Sequence, residues 1–161
     1  MMAKSHMVVG GASWVLVAAA AGMDPLDPQG IALAVFGALL PDIDHPQSWA
    51  GRKFRLISVP LAALVGHRGV THSLLATLAC LLAVLWMGME AMATPLVVGY
   101  LSHLAADTCT PSGVPYLWPS RRRFTLNLCR TGSAAEYGIV TAVAAGAAWA
   151  AGVPVEALLP N

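Results

Sequence analysis

The feature that most constrains this chain is an alternation of long apolar runs with short polar knots, and every histidine sits in a knot. His6 heads the first apolar run, and His45 lies in Leu40-Pro-Asp-Ile-Asp-His-Pro46. His67 and His72 share His67-Arg-Gly-Val-Thr-His-Ser73, and His103 stands in Ser102-His-Leu-Ala-Ala-Asp107. A histidine or arginine in such apolar company is costly unless it is paired, which makes it a functional-site candidate by default. Apolar residues make up 57% of the chain and charged residues 11%, against about 25% charged in soluble domains. The 161 residues suit a single domain over 1–161. A net charge of +1 gives no footprint for a nucleic-acid partner. Cys80, Cys109 and Cys129 form no Cys-x-x-Cys pair and read as small hydrophobes.

The apolar runs predict an all-α polytopic membrane protein, because a crossing helix needs about 20 apolar residues. Five spans are expected, at 6–22, 30–40, 73–89, 92–106 and 134–151. The first lacks a small-residue cleavage pattern and reads as a retained helix rather than a signal peptide. Its stripe of His6, Gly10, Ser13 and Val17 suits close packing and aims His6 inward. Residues 56–66, short and holding Pro60, predict an interfacial or re-entrant helix. Thr71 is the expected N-cap of the following helix. With these spans, all nine lysines and arginines fall on one side, and Asp24, Asp27, Glu90 and Glu156 on the other. The basic side is cytoplasmic by the positive-inside rule, which puts the N-terminus there too. Trp49, Trp86, Trp118 and Trp149 read as interfacial belt residues.

The same assignment gathers His6, Asp42, Asp44, His45, His67, His72, His103, Asp107 and Glu136 at one set of helix ends. His103 and Asp107 are four apart and share a helix face; that spacing serves a metal or a plain hydrogen-bonded pair. Pro46 biases His45 toward an extended backbone, which would turn Asp42 and Asp44 to one side and His45 to the other. Two carboxylates on one side repel unless a cation or proton lies between them. Gly69 permits a bend that turns both His67 and His72 toward one site. Arg68 suits phosphate binding, and equally a positive-inside anchor. Ser133-Ala-Ala-Glu136 has the form of a capping box, so Glu136 is open to either a capping or a catalytic reading.

Mixed histidine and aspartate ligands without a thiolate suit Zn²⁺, and also Mn²⁺ or Fe²⁺. More than six candidates allow one or two ions, and a two-metal site is suited to displacement at phosphorus. The expected chemistry is hydrolysis of a phosphoester or ester in a membrane lipid at the bilayer surface. The metal ligands are then His6, Asp42, Asp44, His67, His72, His103 and Asp107. His45 or Glu136 would move protons, and Arg68 and Arg122 would hold phosphate. A metal or proton transporter and a scaffold with a closed structural metal are the alternatives. No His-Glu-x-x-His motif for a zinc protease is present.

Four linked segments, Leu40–Pro46, His67–Ser73, Gly99–Asp107 and Thr110–Pro119, occur in an order and spacing that carry a family resemblance. With His6 and Thr131-Gly-Ser-Ala-Ala-Glu136 at the two ends, the chain resembles the LexA-regulated, membrane-bound metal-dependent hydrolases of bacterial inner membranes. The resemblance covers residues 6 to 136. It implies a helical, inner-membrane protein with metal-dependent hydrolysis, and its His-x-x-x-Asp is similar to that of zinc-dependent phospholipases.

Overall fold

The computed structural model describes residues 1–65 and 69–153. It is all-α. The helices are α1 (Ala3–Ala20), α2 (Pro28–Gly37), α3 (Trp49–Lys53), α4 (Arg55–Val65), α5 (Leu74–Trp86), α6 (Glu90–Thr108) and α7 (Ala134–Ala150). Two short 3-10 turns, Pro41–Asp44 and Val70–His72, punctuate them. Helix starts follow local chemistry. Asp27 caps α2 by accepting from the backbone N–H groups of Gln29 and Gly30, with Pro28 in the first turn. Ser133 caps α7 by accepting from the Glu136 N–H. The cap of α5 is Ser73, not Thr71 as the sequence suggested, since Thr71 lies inside the preceding 3-10 turn.

The expectation of five membrane crossings is corrected by the helices themselves. Among the described residues, no helix is long and apolar enough to cross a membrane. At about 1.5 Å per residue, the 10 residues of α2 and 13 of α5 reach roughly 15 and 20 Å, short of a hydrocarbon core of about 30 Å. α6 has 19 residues, but it starts at Glu90 and contains Ser102, His103 and Asp107. His6 lies inside α1, and His103 and Asp107 inside α6, while Asp42, Asp44 and His72 lie in the two 3-10 turns. With no such helix among the described residues, the assignment of basic residues and N-terminus to one membrane side has no support in the fold. Residues 55–65 do form a helix, which has Pro60 inside it.

α1, α2 and α6 pack on one another, with α7 against α1 and α5 against α6. Glycines make the central contacts backbone to backbone. A Cβ at Gly99 would stand 1.9 Å from the Ala34 carbonyl oxygen, and one at Gly37 would stand 2.3 Å from that of Leu96. On α1, a Cβ at Gly10 would meet the Ala38 side chain at 2.6 Å. This close seating brings the end of α2, and the Pro41–Asp44 turn after it, over the polar half of α6.

Candidate metal centre

Four chain segments deliver the site: α1 through His6, the first 3-10 turn through Asp42 and Asp44, the second through His72, and α6 through His103 and Asp107. His6, Asp44, His72, His103 and Asp107 are buried to 1% exposure or less, whereas the Asp42 side chain keeps 16%. Asp42 therefore marks the open side.

The two inner histidines are held in the same sense. His103 Nδ1 lies 2.7 Å from the Ala38 carbonyl oxygen. A carbonyl only accepts, so Nδ1 carries the proton and the Nε2 lone pair points inward. There it meets Asp107 Oδ2 at 3.8 Å and Asp42 Oδ1 at 3.9 Å, with no hydrogen-bond partner. His72 Nδ1 lies 3.1 Å from the Thr71 hydroxyl, which is bonded in turn to Asp44 Oδ2. Its Nε2 faces Asp42 Oδ1 at 3.8 Å and Asp107 Oδ2 at 4.0 Å. His6 stacks on the His103 ring at a centroid distance of 3.7 Å and sets Nε2 3.3 Å from Asp107 Oδ1. The amino group of Met1 also donates to Asp107. Burial alone would raise the Asp107 carboxyl, but the His6 hydrogen bond and the neighbouring positive charge hold it well below the usual carboxylate range.

Two trios are placed to share an ion: His6, Asp42 and His103, and His72, His103 and Asp107. Ligand atoms about a tetrahedral ion at about 2.0–2.1 Å stand roughly 3.3 Å apart. Within the trios, the imidazole-to-carboxylate separations of 3.8 to 4.0 Å exceed that edge by roughly half an ångström or a little more, so the side chains would close in on an ion.

The structure sorts the other candidates. Asp44 does not share a side with Asp42, because Pro41–Asp44 is a 3-10 turn rather than an extended segment. Its carboxylate turns to Thr71 and to His72 Nδ1, 3.7 Å away. His45, extended and half-buried, follows directly. The Glu136 carboxylate accepts from the backbone N–H groups of Met2 at 2.8 Å and Gly132 at 2.7 Å, and from Ser5. It ties α7 to the start of α1. Arg121, Arg122 and Arg123 are all exposed, and Arg121 and Arg123 line an open cavity with Gly69. His67 and Arg68 lie outside the described residues. Sequence reasoning missed the Ala38 carbonyl, which carries no side-chain signal. It also missed the role of Thr71, whose hydroxyl beside a histidine was the available clue.

The fold and site define a helical protein with a buried histidine–aspartate centre. The chain matches the YdjM inner membrane protein family over residues 1–159 and belongs to that family. It is 43% identical over 137 residues to inner membrane protein YdjM of Escherichia coli strain K12, covering 78% of this chain and 69% of that one. The same identity and coverage hold for YdjM of Shigella flexneri. YvsG of Bacillus subtilis strain 168 is 38% identical over 138 residues, covering 84% and 85% of the two chains. No solved structure matches the chain.

Proposed function

We propose that this inner-membrane family member is a metal-dependent hydrolase acting on a phosphoester or ester of a membrane lipid. The carrying observation is the inward lone pair of His103 Nε2, buried and facing two carboxylate oxygens at 3.8 and 3.9 Å. A lone pair turned on negative charge in a dry site repels unless a cation lies between them. Both trios use His103, whose Nδ1 is engaged by Ala38. One free nitrogen serves one ion, so the arrangement favours a single centre held by His72, His103 and Asp107, with His6 and Asp42 beside it. Zn²⁺ suits this thiolate-free set, with Mn²⁺ or Fe²⁺ as alternatives.

A bound divalent ion would supply Lewis acidity and lower the pKa of a water it holds. The chain's own residues do the rest. Asp44, acting through Thr71, keeps His72 Nδ1 protonated and its Nε2 inward. Asp42, alone of the set partly exposed, sits where a substrate arrives. His45, half-buried and directly after Asp44 in the chain, is the proposed proton carrier. Glu136 has its oxygens engaged by Met2, Gly132 and Ser5, so its part is to brace α7 on α1.

Elemental analysis of detergent-purified protein tests this reading. About one equivalent of Zn, Mn or Fe is expected, lost in His103→Ala. Hydrolysis of phospholipids or isoprenoid phosphates should vanish in Asp107→Ala and His72→Ala. Full activity in those two variants would falsify the proposal.

A further inference from the structure

A second feature lies on the other side of the His72 turn. There the loop between α6 and α7 faces Gly69 across a cavity of about 400 Å³. Its lining includes Gly69, Pro115, Trp118, Ser120, Arg121 and Arg123, and among the described residues no acidic one. The loop is locally extended: Val114 and Phe124 exchange backbone hydrogen bonds of 3.0 and 2.9 Å in an antiparallel bridge. Just ahead of Phe124, Arg121 and Arg123 line the cavity and Arg122 does not.

The two guanidiniums differ in how they are held. Arg123 is fixed in place, donating from Nη1 to the Ser112 carbonyl at 3.1 Å and the Gly113 carbonyl at 3.5 Å. Among the described residues, Arg121 makes neither a hydrogen bond nor an ion pair through its side chain. Two exposed positive charges thus share one cavity, and among the described residues no carboxylate lines it. A guanidinium fork matches phosphate oxygens in pairs and is always charged. The volume falls in the range of small-ligand sites.

The cavity is coupled to the metal centre by a short stretch of backbone. Gly69 is the residue before the Val70–His72 turn, and its carbonyl accepts from the His72 N–H at 3.2 Å. Two residues after His72, the Leu74 N–H donates to the Tyr116 carbonyl at 3.1 Å, pinning this segment to the arginine-bearing loop.

We propose that this cavity is a phosphate-binding subsite, with Arg121 and Arg123 holding the phosphate group of the substrate. As an assignment of substrate class it rests on the hydrolase reading; as a binding site it stands without it. The test is a ³¹P NMR titration of the full chain, detergent-purified and stripped of metal by chelation, with inorganic phosphate and then glycerol 3-phosphate. Saturable binding is expected, weakened about tenfold in Arg121→Ala and less in Arg121→Lys. Arg122→Ala, which removes the same charge from the same loop, should stay within about twofold of wild type.

No saturable binding, or equal losses from Arg121→Ala and Arg122→Ala, overturns the subsite. Because the metal is absent, these results are read independently of hydrolysis. Phosphate binding without any metal-dependent activity would keep the subsite and sink the enzyme reading, and activity without phosphate binding would do the reverse. Phosphatidylglycerol vesicles that displace bound phosphate from wild type would support the site with a lipid headgroup as its source. Displacement by glycerol 3-phosphate alone would support it with a soluble phosphoester.

Discussion

At the scale of single residues, the centre depends as much on what stands behind the histidines as on the ligands themselves. His72 is aimed by a chain of two hydrogen bonds, from its Nδ1 to the Thr71 hydroxyl and from that hydroxyl to Asp44. Groups that fix a ligating imidazole from behind are worth about 10–100-fold in metal affinity. Asp44→Asn and Thr71→Val should each weaken metal binding by about that factor, while Thr71→Ser, which keeps the hydroxyl, should bind nearly as wild type. Competition against a chromophoric chelator measures all three. Equal affinities for Thr71→Val and Thr71→Ser would show that the hydroxyl contributes nothing and that the site tolerates a free-swinging His72. His103 has no such handle for mutation, because its outer partner is the Ala38 backbone carbonyl.

At the scale of elements, the helices were legible where sequence punctuation is strong. The Ser133/Glu136 pair starts α7 as its capping-box form suggested, whereas Asp27-Pro28, which starts α2, went unread as a helix start. The His103/Asp107 pairing was legible too, because four residues on a helix return to the same face. Two things were not legible, for physical reasons. The span count left Lys4, Ser5, Glu90 and Asp107 outside the apolar runs, whereas α1 takes in Lys4 and Ser5, and α6 takes in Glu90 and Asp107. The split between Asp42 and Asp44 depends on Pro41–Asp44 winding as a 3-10 turn, and proline favours that start and an extended segment alike. The packing of α2 on α6 was also hidden, since a lone glycine in an apolar run carries no partner label. It now yields a contrast. Gly99→Ala puts a methyl group 1.9 Å from the Ala34 carbonyl oxygen and should cost about 1–3 kcal/mol or more. Gly146→Ala on α7, with nothing within 4 Å, should be neutral or stabilise by about 0.5–1 kcal/mol. Thermal melts of the two variants compare them directly. A harmless Gly99→Ala would mean that α2 and α6 do not cross this closely.

At the scale of the whole molecule, the centre is the point where otherwise weakly connected pieces meet. The two 3-10 turns, of four and three residues, have no stability of their own. The first packs on α3, α4 and α6, the second on α5, and the two turns pack on each other. An ion bound by His72, His103 and Asp107 would join the second turn to α6, and Asp42 beside it would bring in the first. Binding to the folded state alone stabilises by mass action, about 2.7 kcal/mol when free metal is a hundred times its dissociation constant. For a chain of this size that corresponds to roughly 5–10 °C in Tm. Adding Zn²⁺ to chelated wild-type protein should raise Tm by about that amount, and adding it to His103→Ala should not. Hydrogen exchange says where the stabilisation lands. Protection should rise at 41–44, 70–72 and the end of α6, and stay unchanged in the outer part of α7, which packs on α1 away from the ligands. A shift of equal size in His103→Ala, or protection gained evenly along the chain, would place the ion elsewhere and leave the buried histidines and aspartates as a structural hydrogen-bond cluster.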